Sequence, residues 1–239
     1  MLDIVIPVYN EQENICCTIE EIEKKVRTPH NILVIYDFEQ DNTLPIVREL
    51  MIKKVNLKLI KNRYGQGVLN AIKTGFASAK NEAVLVTMAD LSDDLATVDR
   101  MYSKIANENY DIVCGSRYMC GGRQIGGPLF KRTMSRLAGF SLHYLTGIPT
   151  HDVTNSFKMY AKKLLDNIAI ESCGGFELGM EITVKAFALG YQITEVPCTW
   201  RDRSHGQSKF KLWAWLPNYL HWYFYALRRR LFYQVDIKF

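Results

Sequence analysis

The sequence has no Cys-X-X-Cys pair, and its six cysteines (16, 17, 114, 120, 173 and 198) form no Cys/His cluster at zinc-ligand spacing, which excludes an evident structural zinc site. Four of them lie in or beside apolar runs such as Ile112-Val113-Cys114, where a free thiol behaves as a small hydrophobe, so a reducing compartment is expected. No stretch of 18 apolar residues occurs, so nothing reads as a membrane span. No basic leader with a cleavage site precedes the first apolar run, Leu2-Asp3-Ile4-Val5-Ile6-Pro7, so a cytoplasmic location is expected. Internal repeats, low-complexity tracts and obvious linkers are missing as well, which argues against fibrous and disordered classes. What remains is an ordinary globular composition, 48% hydrophobic over 239 residues, ample for one large domain with a buried core.

Charge of one sign is also scarce: 30 Lys plus Arg face 25 Asp plus Glu, for a net +5. That small excess is unevenly spread. Residues 200–239 hold eight basic and two acidic residues together with all four tryptophans, and the preceding body is almost neutral. A neutral body with no nucleic-acid motif argues against a nucleic-acid partner.

Apolar strand-like runs at 3–8, 32–35, 57–60, 83–88 and 111–115 alternate with amphipathic helical segments near 11–26, 43–53, 66–79 and 94–107. A repeated β-α order predicts an α/β protein with a mainly parallel, Rossmann-like sheet flanked by helices. Ligands of such sheets bind beyond the carboxyl ends of the strands, which singles out the residues just after each run. Past 115 come a Gly-rich loop at 117–129, a basic helix at 131–145, a helix at 176–189 and a strand at 191–196.

After the fourth run, Asp90, Asp93 and Asp94 crowd three carboxylates into five residues. Hard oxygen ligands of this kind suit Mg2+ or Mn2+ completed by phosphates and water. The same residues also fit a plain helix start, with Ser92 as N-cap and the acids on the helix dipole. Asp37, with Asp41 and Asn42, equally fits a turn before a helix. On the basic side, Arg117, Arg123, Lys131, Arg132 and Arg136 follow the fifth strand, with Arg132 and Arg136 on one helix face beside Ser135. Arg201, Arg203, Ser208 and Lys209 cluster around Gly206, and arginine forks match phosphate oxygens. The segment 211–230 combines Trp213, Trp215, Trp222 and several Tyr with Arg228-Arg229-Arg230, a composition that suits a lipid–water interface but also a helix packed on the domain.

Taken in order, these motifs resemble the family 2 glycosyltransferases of the GT-A fold. They are Ile6-Pro7-Val8-Tyr9-Asn10-Glu11, Arg63 to Gly67 with Asn70, the Asp90 segment and Gly115-Ser116-Arg117-Tyr118. Lys131-Arg132 with Ser135-Arg136, Asp152 to Lys158, Glu195-Val196-Pro197, and Arg203 with Gly206, Ser208 and Lys209 resemble the dolichyl- or polyprenyl-phosphate mannose (glucose) synthase branch. The resemblance covers about residues 2–212. It implies an inverting enzyme that moves a sugar from a nucleotide-diphosphate sugar to a polyprenyl phosphate, with Mg2+ or Mn2+ on the diphosphate. By the same resemblance, Pro7, Tyr9, Glu11, Asp37 and Arg63 hold the donor nucleotide, and Asp90, with Asp93, ligates the metal. Arg117, Arg132, Ser135, Arg203 and Lys209 hold phosphates, and Asp90, Arg117, Arg132 and Arg203 carry the catalysis. The resemblance together with the aromatic and basic composition of the tail gives the expected layout: a catalytic domain over 1–209 and a membrane-associating helical segment over 210–239, seated peripherally on the cytosolic face through 210–233.

Two departures qualify that reading. Met88 stands where the family usually has the first Asp of Asp-X-Asp, and Tyr36-Asp37-Phe38-Glu39 replaces the common Asp-Asp-Gly-Ser. An alternative keeps the enzyme class but transfers to a sugar hydroxyl in polysaccharide assembly, which requires a carboxylate base from Asp152, Glu177 or Glu181. A non-catalytic nucleotide-sugar-binding protein is the third reading, suggested by Met88.

Overall fold

The computed structural model describes residues 1–203 and 212–233. Five strands of the expected β-α alternation form as anticipated: β1 (Leu2–Val8), β2 (His30–Tyr36), β3 (Leu57–Lys61), β4 (Ala83–Val86) and β5 (Ile112–Ser116). Between them lie α1 (Ile15–Lys25), α2 (Leu44–Lys53), α3 (Val68–Ser78) and α4 (Val98–Glu108). The rest of the chain forms β6 (Arg123–Ile125), α5 (Leu129–Thr146), β7 (Lys158–Ala161), α6 (Lys162–Asn167), α7 (Leu178–Ala188), β8 (Ile193–Pro197), β9 (Thr199–Arg201) and α8 (Leu212–Tyr233).

Seven strands make one sheet in the order β3-β2-β1-β4-β7-β5-β8, and β6 and β9 form a separate parallel ribbon. All pairings in the large sheet are parallel except those of β7, which runs antiparallel to both β4 and β5. Strand side chains alternate between two apolar layers, as a sheet covered on both faces requires. Ile4, Ile6, Ile32 and Val34 meet Ile15, Ile19 and Ile22 of α1, Leu44 of α2 and Met101 of α4. Val5, Leu33, Ile35 and Val84 meet Ile72 and Phe76 of α3 and Ile182 of α7. Gly75 lets α3 approach β1 closely, since a Cβ there would lie 2.2 Å from Cγ1 of Val5.

A third cluster joins α5, α7 and α8 through Leu142, Met180, Val184, Trp222 and Ala226. The aromatic helix α8 is thus docked on the α/β body. Of the tryptophans expected at a membrane, Trp222 is buried, and the Trp215 ring lies against Phe176 and Gly175. The side chain of Trp213 lies outside the described residues. No described helix is long and apolar enough to cross a membrane.

Candidate active site

The carboxyl ends of β1 and β2 form one wall. Asn10 adopts a left-handed φ of 55°, and its amide donates to both Asp41 oxygens at 3.1 Å. The Glu11 amide donates to Thr43 Oγ1 at 2.9 Å, and the Glu11 carboxylate accepts from Asn14 at 3.0 Å. These bonds fasten the loop after β1 to the start of α2. Pro7 lies in β1 opposite Ile35, and half-exposed Tyr9 meets Phe38 edge-on at 5.4 Å. Asp37 accepts from Asn62 Nδ2 and from the Gly67 amide, each at 2.8 Å, and so joins the ends of β2 and β3 to the N-terminus of α3. Arg63 projects from that same loop as an exposed side chain, with its amide on Thr74 Oγ1 at 3.0 Å.

The β4 loop does not open a helix where expected. The α-helix begins at Val98 behind a 3-10 turn, Leu95–Thr97, and Ser92 caps neither. The carboxylates are therefore not helix-dipole groups. Leu91 holds a φ of 58°, a left-handed conformation that costs a branched residue ~1–2 kcal/mol. Bonds from several directions fix it: Ser92 N to Asp90 Oδ1, Thr18 Oγ1 to Ala89 O, Arg201 N to Ser92 O and Thr199 N to Asp94 Oδ2. Strain held in this way marks Asp90 as a placed group.

Asp90 is 7% exposed, and its Oδ2 accepts from Arg203 Nη2 at 2.8 Å across 113 residues of chain. Asp93, the second expected metal ligand, is turned inward instead. Its Oδ2 accepts from Thr87 Oγ1 at 2.9 Å and from the Met88 amide at 3.3 Å. Burial, followed by the charge of Asp90, pushes the Asp93 carboxyl up to about 7. The Met88 side chain joins the apolar layer over α3 rather than the site. Among the described residues, no group of three or more His, Cys, Asp or Glu is arranged to hold a metal. Asp90 is still a carboxylate of the kind that binds Mg2+ or Mn2+ together with substrate phosphates, and it already holds one cation.

Arg117 follows β5 and forms a bidentate pair with fully buried Asp152, Nε to Oδ2 and Nη2 to Oδ1, both at 2.7 Å. Burial works against the guanidinium charge, but Asp152 outweighs it and holds the pKa of Arg117 above its ordinary value. Nη2 also donates to Ser135 Oγ at 3.0 Å, so Arg117 and Ser135 do meet. Arg132 is half-buried one turn earlier on α5 and has no ion-pair partner among the described residues. Lys209 lies outside the described residues. Two participants were given no role of their own from sequence: Thr154, whose hydroxyl meets Ser135 Oγ at 2.6 Å, and Tyr118, whose hydroxyl meets it at 3.1 Å while its ring lies 4.8 Å from the Arg117 guanidinium. Their sequence signal was membership of the two motifs that carry Arg117 and Asp152.

The three expected candidate bases are all committed to the fold. Asp152 holds Arg117. Glu177 is fully buried and accepts from the amides of Gly174 and Gly175 at 2.7 and 2.6 Å. Glu181, also fully buried, accepts from two amides and from Lys185 at 2.7 Å.

A carboxylate–arginine pair beyond β4, a buried arginine beyond β5 and the fastened loops after β1 and β2 all lie past the carboxyl ends of the strands, where ligands of such sheets bind. Residues 3–169 match glycosyl transferase family 2, and the chain belongs to that family. It is 27% identical over 212 residues to the polyprenol monophosphomannose synthase of Mycolicibacterium smegmatis, covering 86% of this chain and 79% of the relative. Identity is also 27%, over 215 residues, to the dolichol-phosphate mannosyltransferase of Pyrococcus furiosus, of which the match spans 59%. In three dimensions the chain is similar to glucosyl-3-phosphoglycerate synthase from Mycobacterium tuberculosis, crystallised with Mn2+, UDP-glucose and phosphoglyceric acid, with a TM-score of 0.70 at 14% identity over 95% of this chain and 80% of that one. The fold expected from the sequence, that of the GT-A glycosyltransferases, is the one observed.

Proposed function

We propose that this glycosyltransferase moves a sugar, with inversion, from a nucleotide-diphosphate sugar to a polyprenyl-type phosphate at a membrane surface. One observation carries the choice of acceptor: Asp152, Glu177 and Glu181, the carboxylates considered for deprotonating a hydroxyl, are all buried and hydrogen-bonded. A phosphate monoester is already anionic at neutral pH and needs no strong base. The names of the two curated relatives support the same class of acceptor.

In this reading Tyr9, Glu11, Asp37 and Arg63 seat the nucleoside diphosphate, and Asp90 holds Mg2+ or Mn2+. The ion, when bound, neutralises charge on the departing diphosphate. Arg117 and Arg132, with Ser135 and Lys209, orient the acceptor phosphate. One of its oxygens attacks the anomeric carbon as the bond to the nucleoside diphosphate breaks, and Arg203 stabilises the leaving charge. The test is a panel of radiolabelled nucleotide sugars offered with polyprenyl phosphate and Mn2+. Lipid-linked product is expected with one donor, and Asp90→Ala should lower turnover by at least ~100-fold with the melting temperature retained. No lipid product with any donor, or product only with hydroxyl acceptors, overturns the proposal.

The membrane surface is supported by α5 more than by the tryptophans. Phe130, Met134, Leu137, Tyr144 and Leu145 recur at helical spacing on one exposed face, with Leu137 61% and Tyr144 75% exposed. Gly139, Leu142 and Thr146 turn the opposite face inward. Leu220 and Phe224 of α8, also exposed, extend the patch, since neighbouring Tyr223 donates to Ser141 of α5 at 2.9 Å. Lys131, one residue from Phe130 on α5, and Arg228, one turn beyond Phe224 on α8, adjoin those rows, which suits anionic headgroups. Leu137→Glu with Leu145→Glu should weaken binding to anionic vesicles by roughly 100-fold, as expected for two leucines kept from apolar burial. Turnover on a short, water-soluble isoprenyl phosphate should persist. Unchanged vesicle partition removes this face from the proposal.

A further inference from the structure

The Asp90–Arg203 pair has a feature that a purely structural ion pair would not need. Asp90 Oδ1 accepts from the Ser92 amide at 3.1 Å, and Arg203 Nη2 sits on Oδ2 at 2.8 Å, where it competes directly with any other cation for that oxygen. The segment that delivers Arg203 is stitched to the Asp90 loop: Thr199 N donates to Asp94 Oδ2 at 2.9 Å, and Arg201 N to Ser92 O at 3.0 Å. Arg203 lies two residues beyond the last of these bonds. Its side chain is 22% exposed, so the guanidinium reaches solvent from its place on Asp90.

We infer that Arg203 is a built-in counter-ion of Asp90, which excludes a bare divalent cation and yields the carboxylate only when a diphosphate arrives to receive the guanidinium. This rests on the reading of Asp90 as the metal carboxylate. Charge explains the selectivity. Asp90 and Arg203 together are neutral, so a dication arriving alone gives the pair and the ion a net charge of two and sets itself beside a guanidinium. A dication arriving with a nucleoside diphosphate brings two or three negative charges, and Arg203 can exchange one carboxylate oxygen for two phosphate oxygens, the geometry a guanidinium fork favours. The Met88 position sharpens the effect. The family's additional aspartate at this point would leave a second carboxylate for metal even with Arg203 in place, whereas here the Met88 side chain lies in the apolar layer and Asp93 is turned toward Thr87. Metal and nucleotide binding should then be strongly synergistic.

Mn2+ binding to the full chain, followed by electron paramagnetic resonance or calorimetry without turnover, tests the inference. In the wild type, UDP or GDP should raise Mn2+ affinity markedly. Arg203→Met and Arg203→Gln should tighten binding of Mn2+ alone by about 10-fold, as for loss of a competing, partly exposed ion pair. The same variants should weaken nucleoside diphosphate binding in the presence of Mn2+, an effect of opposite sign. Arg203→Lys, which keeps the charge, should bind bare Mn2+ like the wild type. If neither neutral variant gains Mn2+ affinity while Asp90→Asn abolishes it, the counter-ion role falls and the metal site stands. If Mn2+·nucleotide binding survives Asp90→Asn, the metal site at Asp90 falls with it.

Discussion

Asp152→Asn is expected to destabilise the protein by about 3 kcal/mol and to lower turnover with a phosphate acceptor by at least ~100-fold, because it leaves Arg117 charged, mostly buried and short of its partner. The pair has 11% and 0% side-chain exposure, so water replaces little of what the carboxylate supplies. A base and a positioning partner predict different signatures for this variant. Were Asp152 a general base, the acidic limb of the pH–rate profile would vanish while stability held. As the partner of Arg117, it should leave the profile's shape alone, raise the KM for acceptor and lower the melting temperature. A double variant, Arg117→Met with Asp152→Leu, separates fold from function. Replacing a buried ion pair by apolar groups of similar size is often close to neutral for stability, so the double variant should melt near the wild type yet stay inactive. Full activity and unchanged melting in Asp152→Asn would remove Asp152 and, with it, the argument that Arg117 is held for the acceptor.

The β-α body was legible because strands buried on both faces read as unbroken apolar runs, and the positions just past them carried Asp37, Asp90 and Arg117 to one rim. β7 was not legible. It has four residues, begins with Lys158, and gains its place only by pairing with β4 and β5, which adjoin it in space. Lys158 itself is fully buried, its ammonium spent on the carbonyls of Val153 and Asn155, so a residue that reads as solvent-facing instead pins the turn that carries Asp152 and Thr154. The Ser92 cap failed for a related reason. Local propensity cannot foresee that the Thr199–Arg201 strand bonds to this loop and keeps it out of the helix as far as Asp94. Asp93 could not be told from Asp90 by charge, since the direction of a side chain depends on Leu91 adopting a left-handed φ. Burial of Asp152, Glu177 and Glu181 was equally hidden, and it is what separates the two acceptor classes.

Trp222→Ala should cost roughly 3–5 kcal/mol, the range for removing a large buried aromatic. For a chain of this size the melting temperature should fall by about 10 °C. Trp222 is 3% exposed and packs among Leu142, Met180 and Val184. Its Nε1 donates to Ser172 Oγ at 3.1 Å, and the Lys185 ammonium lies 4.8 Å from its ring centroid. Lys185 and the Ser172 amide both bond Glu181, so the indole ties α8 to α7 and to the loop before it through one connected set of polar contacts. Trp222→Phe should recover most of the packing but not the Ser172 bond, leaving a deficit of about 1 kcal/mol plus the smaller ring. Vesicle binding per folded molecule should not change in either variant, whereas Phe224→Glu, two residues on and 53% exposed, should weaken vesicle binding with little effect on melting. The reverse pattern, with Trp222→Ala released from vesicles and thermally unaltered, would mean that the indole faces lipid and that α8 leaves the body when the protein docks.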